Sequence, residues 1–256
     1  MLAARLAWQA GEEALARSFA AGRQRAAFAV AGGRAVGSLG SRPGGDTGGS
    51  HYLLHAQGCS HVLAWDERGA TLHGIERFTD VTDCEAIEDS LLLQSGRLAP
   101  HDNAQAIRLA DARWPLDCSV LVAAQLAGGA RASLDLALEH AKVREQFGQP
   151  IGAFQAIKHK AADMLARVEV AWGEIVMAAL QPMDSPARVF HASAAKILAA
   201  EAALKNAAAC IQIHGGMGFT AEVTAHLYLK RAHTLDLLGG LNRHHHQRIL
   251  QSAAPV

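Results

Sequence analysis

Two short stretches carry residue types suited to gripping an anion. One is Arg144-Glu-Gln-Phe-Gly-Gln-Pro-Ile-Gly152 and the other is Gln212-Ile-His-Gly-Gly-Met-Gly-Phe219. Each closes a long, alanine-rich apolar segment. A guanidinium at a helix exit, beside a glycine turn, is placed to hold a diphosphate through two parallel hydrogen bonds. A side-chain amide followed by Gly215 and Gly216 lets backbone approach a flat ligand closely. Each stretch also has a plainer reading. An arginine near a helix C-terminus favours the helix dipole while remaining solvated, and Gly-Gly-Met-Gly taken alone is a helix stop. Both motifs together, in this order and with two long helices between them, favour a shared ligand.

The elements that must position these motifs are helical. Val120, Leu121, Ala124, Ala127, Leu134, Ala137 and Ala141 form one apolar stripe. Ile157, Ala161, Met164, Leu165, Val168, Trp172 and Ile175 form a second. Val189, Ala192, Ile197, Ala200, Leu204, Ala207 and Ile211 form a third. Spacings of three and four put each set on one helix face. Small residues, Gly128 and Gly129 included, predict close helix approach. The segment Gln181-Pro-Met-Asp-Ser-Pro186 separates the second helix from the third, and Gly215-Gly216 ends the third. Further helices are expected over Glu222–His233 and Arg243–Leu250, completing an antiparallel bundle.

Ahead of the bundle the pattern is weaker. Leu2, Leu6, Leu15 and Phe19 predict one helix over the first thirty or so residues, or two short ones broken near Gly11. Ala31 to Ser50 reads as loops around a weak strand at most. His51–His55, His61–Trp65 and Ala70–His73 are short β-like runs, with Asp66-Glu-Arg-Gly69 as a hairpin turn. Ser90–Leu93 and Ala106–Leu109 are candidate further strands. The expected fold is thus mainly α: a helical bundle preceded by a small, reduced β segment. The expected domains are residues 1–112 and 113–256.

Composition narrows the function classes. The 256 residues are 50% hydrophobic, enough for a sizeable core. Lysine plus arginine number 24 and so do aspartate plus glutamate, which gives no electrostatic case for nucleic acid and favours association. Cys59, Cys84, Cys118 and Cys210 fit neither a zinc motif nor a disulfide framework. Reduced thiols, no signal-peptide pattern and no apolar run long enough to cross a bilayer lead to an expectation of a cytoplasmic protein. His244, His245 and His246 fan out around a helix, so they make a poor joint ligand set for a metal.

The two motifs, together with Ser193-Ala-Ala-Lys196 and Glu201, resemble the C-terminal half of the acyl-CoA dehydrogenases, FAD enzymes that desaturate acyl-CoA thioesters. The resemblance runs from Leu116 to Leu238 and is faint over Ser50–Asp111. It implies FAD as cofactor. It also implies cofactor contacts from Arg144, Gln146, Phe147, Gln155, Gln212, Gly215 and Gly216, reaching across a subunit interface. In that family a glutamate removes the α proton while hydride leaves the β carbon. The two positions where the family places this glutamate hold Cys118 and Gly239 here. The family's N-terminal helical domain and its Trp-x-Ser/Thr flavin strand are also not matched; Trp65 is followed by Asp66 and Glu67.

The resemblance therefore implies a division of labour. The chain would lend cofactor contacts to a full-length acyl-CoA dehydrogenase subunit that supplies the glutamate. Some relatives that act in steroid and sterol side-chain breakdown look like heteromers of this kind. Two alternatives stand beside it. One is a self-sufficient homo-oligomer using Asp117 or Asp236 as a non-standard base. The other is a purely structural partner subunit.

Overall fold

The computed structural model describes residues 2–31, 50–66, 69–88, 91–99, 106–109, 114–182 and 185–252. The chain divides into two compact units, Met1–Cys118 and Ser119–Val256.

The first unit opens with helices α1 (Leu2–Gln9) and α2 (Glu13–Ala20), separated at Gly11, whose φ of 85° no side chain adopts cheaply. Among the described residues seven strands follow: β1 (Ala26–Ala31), β2 (Ser50–Leu54), β3 (His61–Asp66), β4 (Gly69–Gly74), β5 (Phe78–Cys84), β6 (Leu93–Leu98) and β7 (Ile107–Leu109). They form one sheet in the order β5-β6-β2-β1-β3-β4-β7. The β1–β3 pair is parallel and the remaining pairs are antiparallel. The hairpin expected across Asp66 and Gly69 is present as β3–β4.

Two expectations for this unit need correction. The zone read as helical ends in β1, a strand. Ala27 and Ala29 of β1 pack with Leu53, Val62 and Phe78, whereas Ala26 and Phe28 pack with Leu6, Leu63, Leu72 and Cys118. Alanine on three of these four positions hides the period-two alternation and favours a helix reading. In the run Ser90–Leu93, Ser90 lies outside the described residues, Leu91 and Leu92 are not in a strand, and β6 begins at Leu93. Strand β5 carries no alternation because it lies at the sheet edge, with Asp80 and Asp83 exposed and a bulge between Thr79 and Thr82. Most of the stretch Ala31–Ser50 lies outside the described residues.

The second unit is a helical bundle: α3 (Trp114–Val143, whose first turn belongs to the first unit), α4 (Gln155–Leu180), α5 (Ala187–His214), α6 (Ala225–Leu237) and α7 (Asn242–Gln251). A two-stranded ribbon, β8 (Glu145–Gln146) and β9 (Gln149–Pro150), links α3 to α4. Helix α5 is the central element. Ala192, Ala195, Ala199, Ala200, Ala202, Ala203 and Ala207 are all buried, so alanine lets neighbours pack on several of its faces. Asn206 ties three helices together. Its Nδ2 donates to the carbonyls of Met164 at 2.9 Å and Ala130 at 3.4 Å, and its Oδ1 accepts from Arg167 at 3.2 Å. A fully buried amide is tolerated because these bonds satisfy it.

Two bundle expectations are also corrected. Leu165 and Trp172, read as part of the second buried stripe, are exposed; α4 buries Met164, Val168, Ala171, Ile175 and Ala178 instead. Gly128 and Gly129 do not mark a close approach, since a Cβ at either would meet nothing within 4 Å. No helix among the described residues is long and apolar enough to cross a membrane.

Candidate functional site

The first motif begins where α3 ends. The Arg144 N–H closes the last turn on the His140 carbonyl at 2.9 Å, and the Arg144 carbonyl accepts from Ile151 at 2.7 Å. Between them the β8–β9 ribbon turns at Phe147 and Gly148, with φ of 55° and 78°. Two positive φ values make this a primed hairpin turn. Gly148 is at ease there, but Phe147 pays a steric cost. The Phe147 ring nevertheless points outward: it is 94% exposed, touching Phe154 edge-to-face at 6.1 Å.

The second motif begins where α5 ends. Gly215, with φ of 64°, caps the helix by donating to the Gln212 carbonyl. Three glycines of this corner have different reasons to be glycine. Gly215 needs the positive φ. Gly218 needs the space, because a Cβ there would lie 2.6 Å from the Ile211 carbonyl oxygen. Gly216 has neither reason: a Cβ would meet nothing within 4 Å and its φ is ordinary. Its bare backbone faces outward, where a ligand from outside the chain can lie against it.

Both motifs belong to the second unit, and a ring stack joins their helix ends. The imidazoles of His140 and His214 lie 4.2 Å apart at 26°. Arg144, Gln155 and Gln212 are exposed, and among the described residues their side chains make no hydrogen bond within the chain. Gln146 folds back onto the Glu145 carbonyl at 2.7 Å. A cavity of about 470 Å³ lies beside the ribbon, lined by Leu138, Ala141, Ile157 and Ala161, with Lys142 and Lys158 adding positive charge. The site thus offers unspent donors, an open glycine backbone and apolar shelves. That donor set fits a diphosphate joined to flat rings. His214 was legible in the sequence only as a helix-end residue; its pairing with His140 has no local signal, because the two are far apart in the chain.

The positions discussed as places for a base are all structurally committed. Cys118 is fully buried, and its thiol is pushed up to about 12, by burial first and then by the Asp117 charge. It stays neutral. Asp117 is buried and pairs with Arg5 at 2.6 Å. Gly239 has φ of 78°, and its carbonyl accepts from Ser119 Oγ at 3.2 Å and from His245 Nε2 at 3.0 Å. Asp236 pairs with Lys196 at 2.8 Å. Lys196 itself is fully buried, which lowers its pKa, while Asp236 acts to raise it. Glu201 pairs with Lys205, not with Lys196. Among the described residues no group of three or more His, Cys, Asp and Glu side chains is placed to hold a metal.

The sequence profile described as "Acyl-CoA dehydrogenase, C-terminal domain" matches residues 119–254. Among similar proteins, the acyl-CoA dehydrogenase FadE34 of Mycobacterium tuberculosis is 48% identical over 128 residues, which is 49% of this chain and 18% of that protein. The acyl-CoA dehydrogenase IpdE2 of the same species is 42% identical over 115 residues, 45% of this chain and 35% of that protein. The matched stretch thus spans well under half the length of either relative. A chain of the ChsE4-ChsE5 complex from Mycobacterium tuberculosis superposes with a TM-score of 0.78, covering 98% of this chain and 73% of that one. At 21% identity, that likeness is one of fold.

Proposed function

This chain belongs to the acyl-CoA dehydrogenase family, and we propose that it serves as a subunit of an assembly that desaturates an acyl-CoA thioester with FAD. In this reading the chain holds part of the cofactor while a partner subunit supplies the base. FAD, when bound, supplies the hydride acceptor. Arg144 binds the diphosphate through two charge-assisted bonds. Gln212 and Gln155 supply amide donors and acceptors. Gly215 and Gly216 let backbone lie against the adenosine part. Gln146 and Phe147, on the ribbon, cover the same ligand.

The observation that carries this reading is the combination of unspent polar groups and exposed apolar surface on the two motifs. Val143, Phe147 and Phe219 are 76%, 94% and 72% exposed. Apolar groups clustered around unpaired donors mark a surface that another molecule covers. The likeness in fold to a chain of a two-protein complex supports a partner of the same family. The resemblance to subunits of steroid side-chain enzymes makes a bulky acyl group the first substrate to try.

The commitment of Asp117 and Asp236 to ion pairs weighs against either as a hidden base, and Cys118 and Gly239 offer no carboxylate. The test is to purify the chain alone and with its partner. The lone chain is expected to be inactive, and the pair is expected to bind FAD and turn over. Arg144→Ala should weaken FAD binding to the pair by about tenfold or more, the worth of a charge-assisted bond. Desaturation by the lone chain would overturn the division of labour. Unchanged FAD affinity in Arg144→Ala would leave the chain a scaffold only.

A further inference from the structure

The two motif-bearing helix ends are coupled by two imidazoles. On α3, the His140 main-chain carbonyl accepts the Arg144 N–H at 2.9 Å, so the imidazole sits one helical turn before the arginine. On α5, His214 immediately precedes the Gly215 cap. The His214 ring is buried, and its Nδ1–H donates to the Cys210 carbonyl at 2.8 Å. That bond sets the plane of the ring on its own helix. The face left over is the one on which His140 stacks, at 4.2 Å and 26°. A stacked pair tolerates little change in ring separation, so it acts as a spacer between the arginine and the glycine corner.

The surroundings favour a neutral His140. Burial first, then the charges of His214 and Arg144, hold its pKa below the usual imidazole range. On the α5 side, the thiol of Cys210 lies 3.7 Å from His214 Nδ1 and is raised to about 11 by burial, so it brings no charge. A neutral His140 stacks without adding charge between the motifs, and the positive charge toward the ligand side comes from Arg144 with Lys142 and Lys158.

We propose that His140 and His214 are positioning residues for the dinucleotide site: their stack sets the spacing at which Arg144 and the Gly215–Gly216 corner reach one ligand. This rests on the reading that those groups hold FAD. Neither imidazole needs to touch the cofactor. Loss of the stack leaves the core packing around Ala137, Ala141, Cys210 and Ile213 but loosens the spacing of the two helix ends, and a two-point grip weakens when its points are less firmly pre-set.

The test uses the assembled complex, stripped of flavin and titrated with FAD, with variants at position 140. His140→Ala is expected to weaken FAD binding by about tenfold, while the complex stays assembled. His140→Phe restores a ring without nitrogen atoms and is expected to bring affinity back to within about threefold of the parent. If His140→Ala prevents assembly, His140→Leu, which keeps bulk without an aromatic face, is read in its place. Parent-like affinity in the alanine or leucine variant, or failure of phenylalanine to rescue, overturns the spacer. Arg144→Ala separates this from the underlying reading. If it too leaves affinity unchanged, the dinucleotide assignment itself falls. If Arg144→Ala weakens binding and His140→Ala does not, only the spacer falls.

Discussion

Helix α5 treats its polar residues in two opposite ways. In its first half Lys196 is buried and donates to both the carboxylate and the main-chain carbonyl of Asp236. At its last turn, about 24 Å further along the axis, Gln212 is exposed beside an uncovered glycine backbone. The inward ammonium is spent on holding α5 to α6. The outward groups are held in place but satisfied by nothing in the chain. A polar group with a complete set of partners stabilises, and one that is fixed yet unpaired is ready to bind.

The largest test of this contrast breaks the inward pair. Asp236→Leu leaves the Lys196 ammonium buried without its counter-charge and should destabilise the second unit by about 3–5 kcal/mol in a denaturant titration. Replacing both residues, Lys196→Met with Asp236→Leu, should recover much of that loss. If the single change costs no more than the double, the pair is not a structural lock.

A second test reads the same region through pH. His245 is fully buried, and its pKa is lowered to about 3, mainly by burial and then by Lys196. The unfolded chain takes up this proton below about 6.5, and the folded chain refuses it until about 3. Stability contributed here is therefore complete above pH 6.5 and falls as pH drops toward 3, by about 1.4 kcal/mol per unit at the steepest. His245→Gln should flatten that slope in urea melts run across the window. His73 of the first unit is also lowered, to about 4, so the difference between parent and variant is the quantity to read.

The glycine corner gives a finer test. Gly218→Ala drives a Cβ against the Ile211 carbonyl and should cost about 1–3 kcal/mol of stability. Gly216→Ala meets nothing in the chain and should change stability by less than about 0.5 kcal/mol. In the assembled complex, however, Gly216→Ala should lower FAD affinity by about tenfold. Equal effects of the two substitutions on stability would remove the distinction between a glycine needed for folding and one needed for a ligand.

The sequence made the bundle and the motif residues legible for physical reasons. Helices α3, α4 and α5 are long, so their spacing repeats many times, and Gly215 marks the end of α5 with a conformation few other residues accept. The sheet was harder. Alanine in β1 has no strand signature, and the edge strand β5 is polar on most positions because solvent covers it. What no local pattern carries is pairing across the chain: His140 with His214, Lys196 with Asp236, Arg5 with Asp117. Those pairings decide which charged groups remain available for chemistry.

The conformation of Gly239 bears on how this chain could change over generations. A glutamate cannot be seated there by a single substitution alone. Glutamate at 239 would have to accept a φ of 78° and seat its β carbon 3.4 Å from the Ser119 backbone. The loop would have to be re-laid first, with Ser119 and His245 giving up their hold on its carbonyl.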